Sequence, residues 1–142
     1  MIDAAAPAQA RLVRLVALAS MAAAVALGLA SRHWPDALPA TLGKYPGDAL
    51  WALMVFFAWR ALRPCDRTRE VVLYATATCI IVETAKLWQA PWLVAFRHTT
   101  VGHLLLGHVF SWQNLVAYGV GVLAGAALDR LIPGRPPHTI AA

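Results

Sequence analysis

Residues 12–30 read LVRLVALASMAAAVALGLA, an apolar run broken only by Arg14 near its start. As a helix at 1.5 Å per residue it reaches about 28 Å, close to the roughly 30 Å of hydrocarbon in a bilayer. The run offers no polar face to water, which a surface helix of a soluble domain needs. Stretches 48–62, 71–87 and 110–128 approach the same character. The sequence therefore predicts an all-α polytopic membrane protein: four transmembrane helices in a single domain over residues 1–142, the tail 134–142 being disordered. Arg11, Arg14 and the small residues Gly28-Leu29-Ala30 resemble the flanks of a signal peptide. The run is long for one, so retention as the first span is expected.

Composition points the same way. Hydrophobic residues make up 60% of the chain and charged residues 13%, with mean hydropathy +0.60, against roughly 45–50% and about 25% in soluble domains. Short cytoplasmic loops collect Lys and Arg. Arg11, Arg14, Arg60, Arg63, Arg67, Arg69, Arg130 and Arg135 fall on one side of the implied membrane, against Arg32, Lys44, Lys86 and Arg97 on the other. Both termini are thus expected in the cytoplasm of a multi-pass inner-membrane protein. Trp34, Trp51, Trp88, Trp92 and Trp112 then gather at the outer interface, where an indole keeps its ring buried and its N–H wet. The pI of about 9.9 is a topology signal, and nucleic acid is not an expected partner; membrane lipid is.

Turn residues mark the boundaries: Pro35, Pro39, Pro46 and Gly47 before the second span, Pro64 after it, Pro91 after the third and Pro133-Gly134 after the fourth. In the last span Ala117, Gly121 and Gly125 recur every fourth residue. Such a small-residue face lets a second helix approach closely, either one of the same chain or one of a second copy in a homo-oligomer. Cys65 and Cys79 lie at different depths, an inner loop and a span, so no disulfide is expected.

The unusual chemistry sits where the third span ends, in Glu83-Thr84-Ala85-Lys86-Leu87-Trp88-Gln89-Ala90-Pro91-Trp92. Glu83 and Lys86 are three apart on a helix and share a face. An ionisable group at that depth either is paired structurally or marks a functional cavity. Residues 93–108 are too polar and too short to span, so they form an interfacial or re-entrant segment. Arg97 within it presents a planar fork for Asp48, Glu83 or a bound anion. His98, His103 and His108 follow at steps of five, which on one helix would place successive rings about 140° apart. No metal site and no cofactor are expected from that spacing, although a single imidazole suits proton transfer.

These residues carry a resemblance. The run Ile81-Val82-Glu83 through Leu93, then Arg97-His98-Thr99-Thr100, Gly102-His103, Leu106-Gly107-His108 and Asn114 to Gly121, together with Gly47-Asp48-Ala49-Leu50-Trp51, resembles the domain of unknown function 2809 family of small bacterial membrane proteins. That family is similar, more remotely, to VanZ-like membrane proteins. The resemblance covers about residues 12–128 and implies a four-span fold in the bacterial inner membrane. Lys86 stands where the wider group often has glutamine, and Asn114 where it has aspartate; the resemblance supplies no reaction.

The expected function is binding. Asp48, Glu83, Lys86, Gln89, Arg97, His103 and Asn114 are expected to line an outward-facing polar pocket roofed by the segment after Pro91, for a lipid headgroup or small envelope-associated ligand. The rival classes are an enzyme on a lipid-linked substrate, with Glu83 or His103 as general base, and a transporter or channel subunit coupled through Glu83 and Lys86.

Overall fold

The computed structural model describes residues 5–34, 39 and 43–133, and over them the chain is all-α. Six helices follow one another: α1 Ala5–His33, α2 Tyr45–Leu62, α3 Thr68–Ala85, α4 Pro91–Arg97, α5 Thr100–Leu106 and α6 Trp112–Asp129. The expected disorder of 134–142 falls outside the described residues.

Local chemistry sets the starts and stops. Pro46 occupies the first turn of α2, where a missing N–H costs nothing, and Asp48 complements the positive end of that helix. At the start of α3 the Arg67 backbone N–H donates to the Glu70 carboxylate (2.8 Å). Pro91 opens α4, and Thr99 caps α5 by accepting the Gly102 N–H at 3.0 Å. Gly107 ends α5 at φ +64° and ψ −173°, a conformation that residues with a Cβ adopt only under strain.

Helix α2 is the hub, packing on α1, α3 and α6. Its Phe56 and Phe57 are buried edge to face and join Val13 and Ala17 of α1, Val71 and Ala75 of α3, and Tyr118 and Val122 of α6 in one core. The expected small-residue face of α6 is pressed against α2 of the same chain. A Cβ at Gly121 would stand 2.1 Å from the Ala49 carbonyl oxygen, and one at Gly125 would stand 2.6 Å from the Phe56 ring. Helix α1 runs antiparallel to α2: Gly28 meets Leu50 at one end, and Arg14 Nε donates to the Ala61 carbonyl (3.1 Å) at the other.

The expectation of four transmembrane helices is overturned. Among the described residues one helix, over Pro7–His33, is long and apolar enough to cross a membrane. The multi-pass inner-membrane topology with both termini cytoplasmic falls with it. The other three long helices have 18 residues each, about 27 Å end to end, and each carries ionisable or amide groups near both ends: Asp48 and Arg60 in α2, Glu70 and Glu83 in α3, Asn114 and Asp129 in α6. Their uninterrupted apolar stretches are correspondingly shorter than a span requires. The segment 93–108, expected as one interfacial or re-entrant piece, forms the two short helices α4 and α5 with a turn between them.

Candidate functional site

Two buried polar clusters lie at opposite ends of the α2–α3–α6 packing. The first is built on Glu83, which is fully buried in the last turn of α3. Lys86, one turn on, brings its Nζ to 2.5 Å from Glu83 Oε2. The other carboxylate oxygen accepts the Ser111 backbone N–H (2.8 Å) and the Asn114 amide (3.1 Å). The i,i+3 spacing of Glu83 and Lys86 thus forms the pair expected of it, and α6 contributes the remaining donors because its N-terminus packs beside the C-terminus of α3. Tyr118 Oη lies 3.4 Å from Lys86 Nζ.

This cluster opens on a cavity of about 430 Å³ between the C-terminus of α1, the N-terminus of α2, the end of α5 and the start of α6. Arg32, Lys44, Asp48, Lys86, His103 and Asn114 are in its wall. Among the described residues, three of its wall side chains keep a buried polar atom without a partner: Asp48 Oδ2, Trp51 Nε1 and Asn114 Oδ1. The roof is the end of α5 and its following loop. Gly107 there lies so close to Lys86 that an added Cβ would come within 3.2 Å of its Cε.

Of the seven residues singled out from the sequence, Asp48, Lys86, His103 and Asn114 therefore line one cavity, with Glu83 behind Lys86. Gln89 and Arg97 do not join them. The exposed Gln89 donates to the Lys86 carbonyl at 2.8 Å. Arg97 is buried and pairs with neither Asp48 nor Glu83. Its guanidinium donates to the main-chain carbonyls of Ala85 (2.5 Å) and Trp88 (3.1 Å), closing the end of α3.

The three histidines, kept apart by a one-helix reading, meet because the chain turns between α4 and α5. The His98 and His103 rings lie 5.2 and 4.5 Å, centroid to centroid, from that of His108. Partial desolvation, followed by the positive charges of His103, His98, Arg97 and Lys86, holds the His108 imidazole below its ordinary value of 6.5. No group of three or more His, Cys, Asp or Glu suited to holding a metal ion occurs among the described residues.

The second cluster went unread in the sequence, where Arg60 served only as a topology signal and Asp129 had no role. Arg60 and Asp129 are both buried. They meet as a bidentate fork, Nε to Oδ1 at 2.8 Å and Nη2 to Oδ2 at 2.5 Å. Thr68 Oγ1 donates to Asp129 (2.8 Å), and Arg60 Nη1 donates to the Asp66 carbonyl (2.7 Å). A carboxylate inside the last turn of an otherwise apolar helix demands a buried cation, and that demand was the available signal.

The family described as a protein of unknown function, DUF2809, matches residues 37–122, which include both Asp48 and the whole Glu83–Asn114 region. The chain belongs to this family. No solved structure matches it. This DUF2809 member is, like its family, a small membrane-associated protein whose activity the family leaves open, and its α1 is long and apolar enough to cross a bilayer.

Proposed function

We propose that this DUF2809 protein is a binding protein that holds an anionic or zwitterionic group, of the kind a lipid headgroup carries, in the cavity beside Lys86. One observation carries the reading: wall residues Asp48, Trp51 and Asn114 each keep a buried polar atom unpartnered. Such an atom costs about 1–3 kcal/mol until something satisfies it. Asp48 and Asn114 present acceptors and Trp51 a donor, while Arg32, Lys44 and Lys86 supply positive charge around the same space. A phosphate bearing a hydroxyl or ammonium group answers all of these at once. The enzyme reading loses its first candidate base, because Glu83 is already occupied by Lys86, Ser111 and Asn114.

The test is lipid content by native mass spectrometry of the purified protein. Arg32→Ala combined with Lys44→Ala removes two exposed cations at the cavity mouth, and Lys86→Gln keeps a donor for Glu83 while removing the buried charge. Each is expected to lower retained anionic lipid about tenfold, equivalent to about 1.4 kcal/mol. Unchanged lipid composition at equal folded fraction would overturn the reading.

A further inference from the structure

A second depression runs from the mouth of the polar cavity. It measures about 310 Å³ and is walled by apolar groups from three helices, among them Val25 and Leu29 of α1, Leu50 and Met54 of α2, and Leu104 of α5. The α1 wall residues Ala24, Val25, Gly28, Leu29 and Arg32, like Gly47, Leu50, Trp51 and Met54 on α2, recur at the spacing of one helical face. The groove therefore runs along α1 for about 12 Å. There is room beside Gly28, where a Cβ would make only ordinary van der Waals contact with Leu50, at 3.8 Å. Arg32, Gly47, Trp51, Leu104 and Leu105 line both the groove and the polar cavity, so a charged chamber and an apolar arm adjoin along a shared wall.

We infer that the ligand is a lipid whose phosphate-bearing head enters the charged chamber while one acyl chain lies in the groove between α1, α2 and α5. This rests on the headgroup reading above and adds to it the class of molecule. A free phosphate would leave the arm empty, with Val25, Leu29, Val101 and Leu105 of its wall exposed. A purely apolar partner helix would bring nothing for Arg32 at the junction. An amphiphile matches both compartments and their order: its charge at Arg32, Lys44 and Lys86, its hydrocarbon along α1.

The experiment uses the full chain in detergent and a dodecyl phosphate carrying a diazirine near the end of its alkyl chain. After irradiation, peptide mapping is expected to place adducts on 24–29, 50–54 and 101–105. Excess unlabelled dodecyl phosphate should remove these adducts, and the same concentration of inorganic phosphate should not. Gly28→Leu, which fills the arm from α1, is expected to reduce them about tenfold, or about 1.4 kcal/mol. Adducts spread over Leu73, Ile81, Val120 and Leu123, the exposed apolar faces of α3 and α6, in proportion to their exposure would overturn the inference. Groove adducts that persist undiminished in Arg32→Ala/Lys44→Ala would sink the headgroup reading and leave the acyl groove standing.

Discussion

The two ends of α2 bury ionic groups in different ways. At its C-terminus, Arg60 and Asp129 form a fork whose remaining donors and acceptors are taken up by Thr68 and the Asp66 carbonyl. At its N-terminus, the Glu83–Lys86 pair is as well buried but faces a cavity where Asp48, Trp51 and Asn114 keep unpartnered atoms. A buried pair can roughly break even against its desolvation if every hydrogen bond is made. The closed end meets that condition and reads as architecture. The open end does not, and a site that leaves donors and acceptors waiting is suited to binding.

The largest expected effect breaks the closed end. Arg60→Ala takes the bidentate guanidinium away from the buried Asp129 carboxylate and should cost about 3–5 kcal/mol, read as denaturant unfolding in detergent. Lipid retained per folded molecule should stay the same. Retention that fell along with stability would erase the distinction between the ends. Gly121→Ala comes next, because its methyl group must displace the Ala49 carbonyl. The expected loss is about 1–3 kcal/mol. Since α6 carries Asn114 at one end and Asp129 at the other, this variant should disturb both clusters, with reduced lipid retention as well as reduced stability.

The smallest effect is one of pH and belongs to the open end alone. His108 is held below 6.5, so the folded protein resists the proton that the unfolded chain accepts. The stability linked to its neutral form is complete above 6.5 and is lost as pH falls through the lower folded value. Exchange protection, corrected for the intrinsic pH dependence of amide exchange, should therefore fall in α4 and α5 on acidification while that of the amides around Arg60 and Asp129 is kept. Equal loss of protection at both ends would remove the histidines from the explanation.

Much of the helical layout was legible in the residues. Segments expected at 48–62, 71–87 and 110–128 fold as Tyr45–Leu62, Thr68–Ala85 and Trp112–Asp129, because proline and capping residues bound them within a few positions. The small-residue face of α6 and the Glu83–Lys86 pairing follow from periodicities local to one helix, and both were visible. What depends on chain reversal was not. His98, His103 and His108 converge only because α4 and α5 are separate helices, and Arg97 finds the carbonyls of Ala85 and Trp88 only because α4 folds back over the end of α3. The reading of four spans failed for a related reason: average apolarity hides the polar groups near each helix end, and those groups decide how much hydrocarbon a helix can cross.

The position of Arg97 has a consequence for what an approaching ligand feels. The last carbonyls of a helix carry roughly half a negative charge, and α3 ends beside the chamber that holds Lys86. By seating its guanidinium on the Ala85 carbonyl that ends α3, and on the Trp88 carbonyl just beyond it, Arg97 offsets part of a field that would otherwise oppose the pull of the lysine. A residue outside the cavity wall thereby shapes the field inside it.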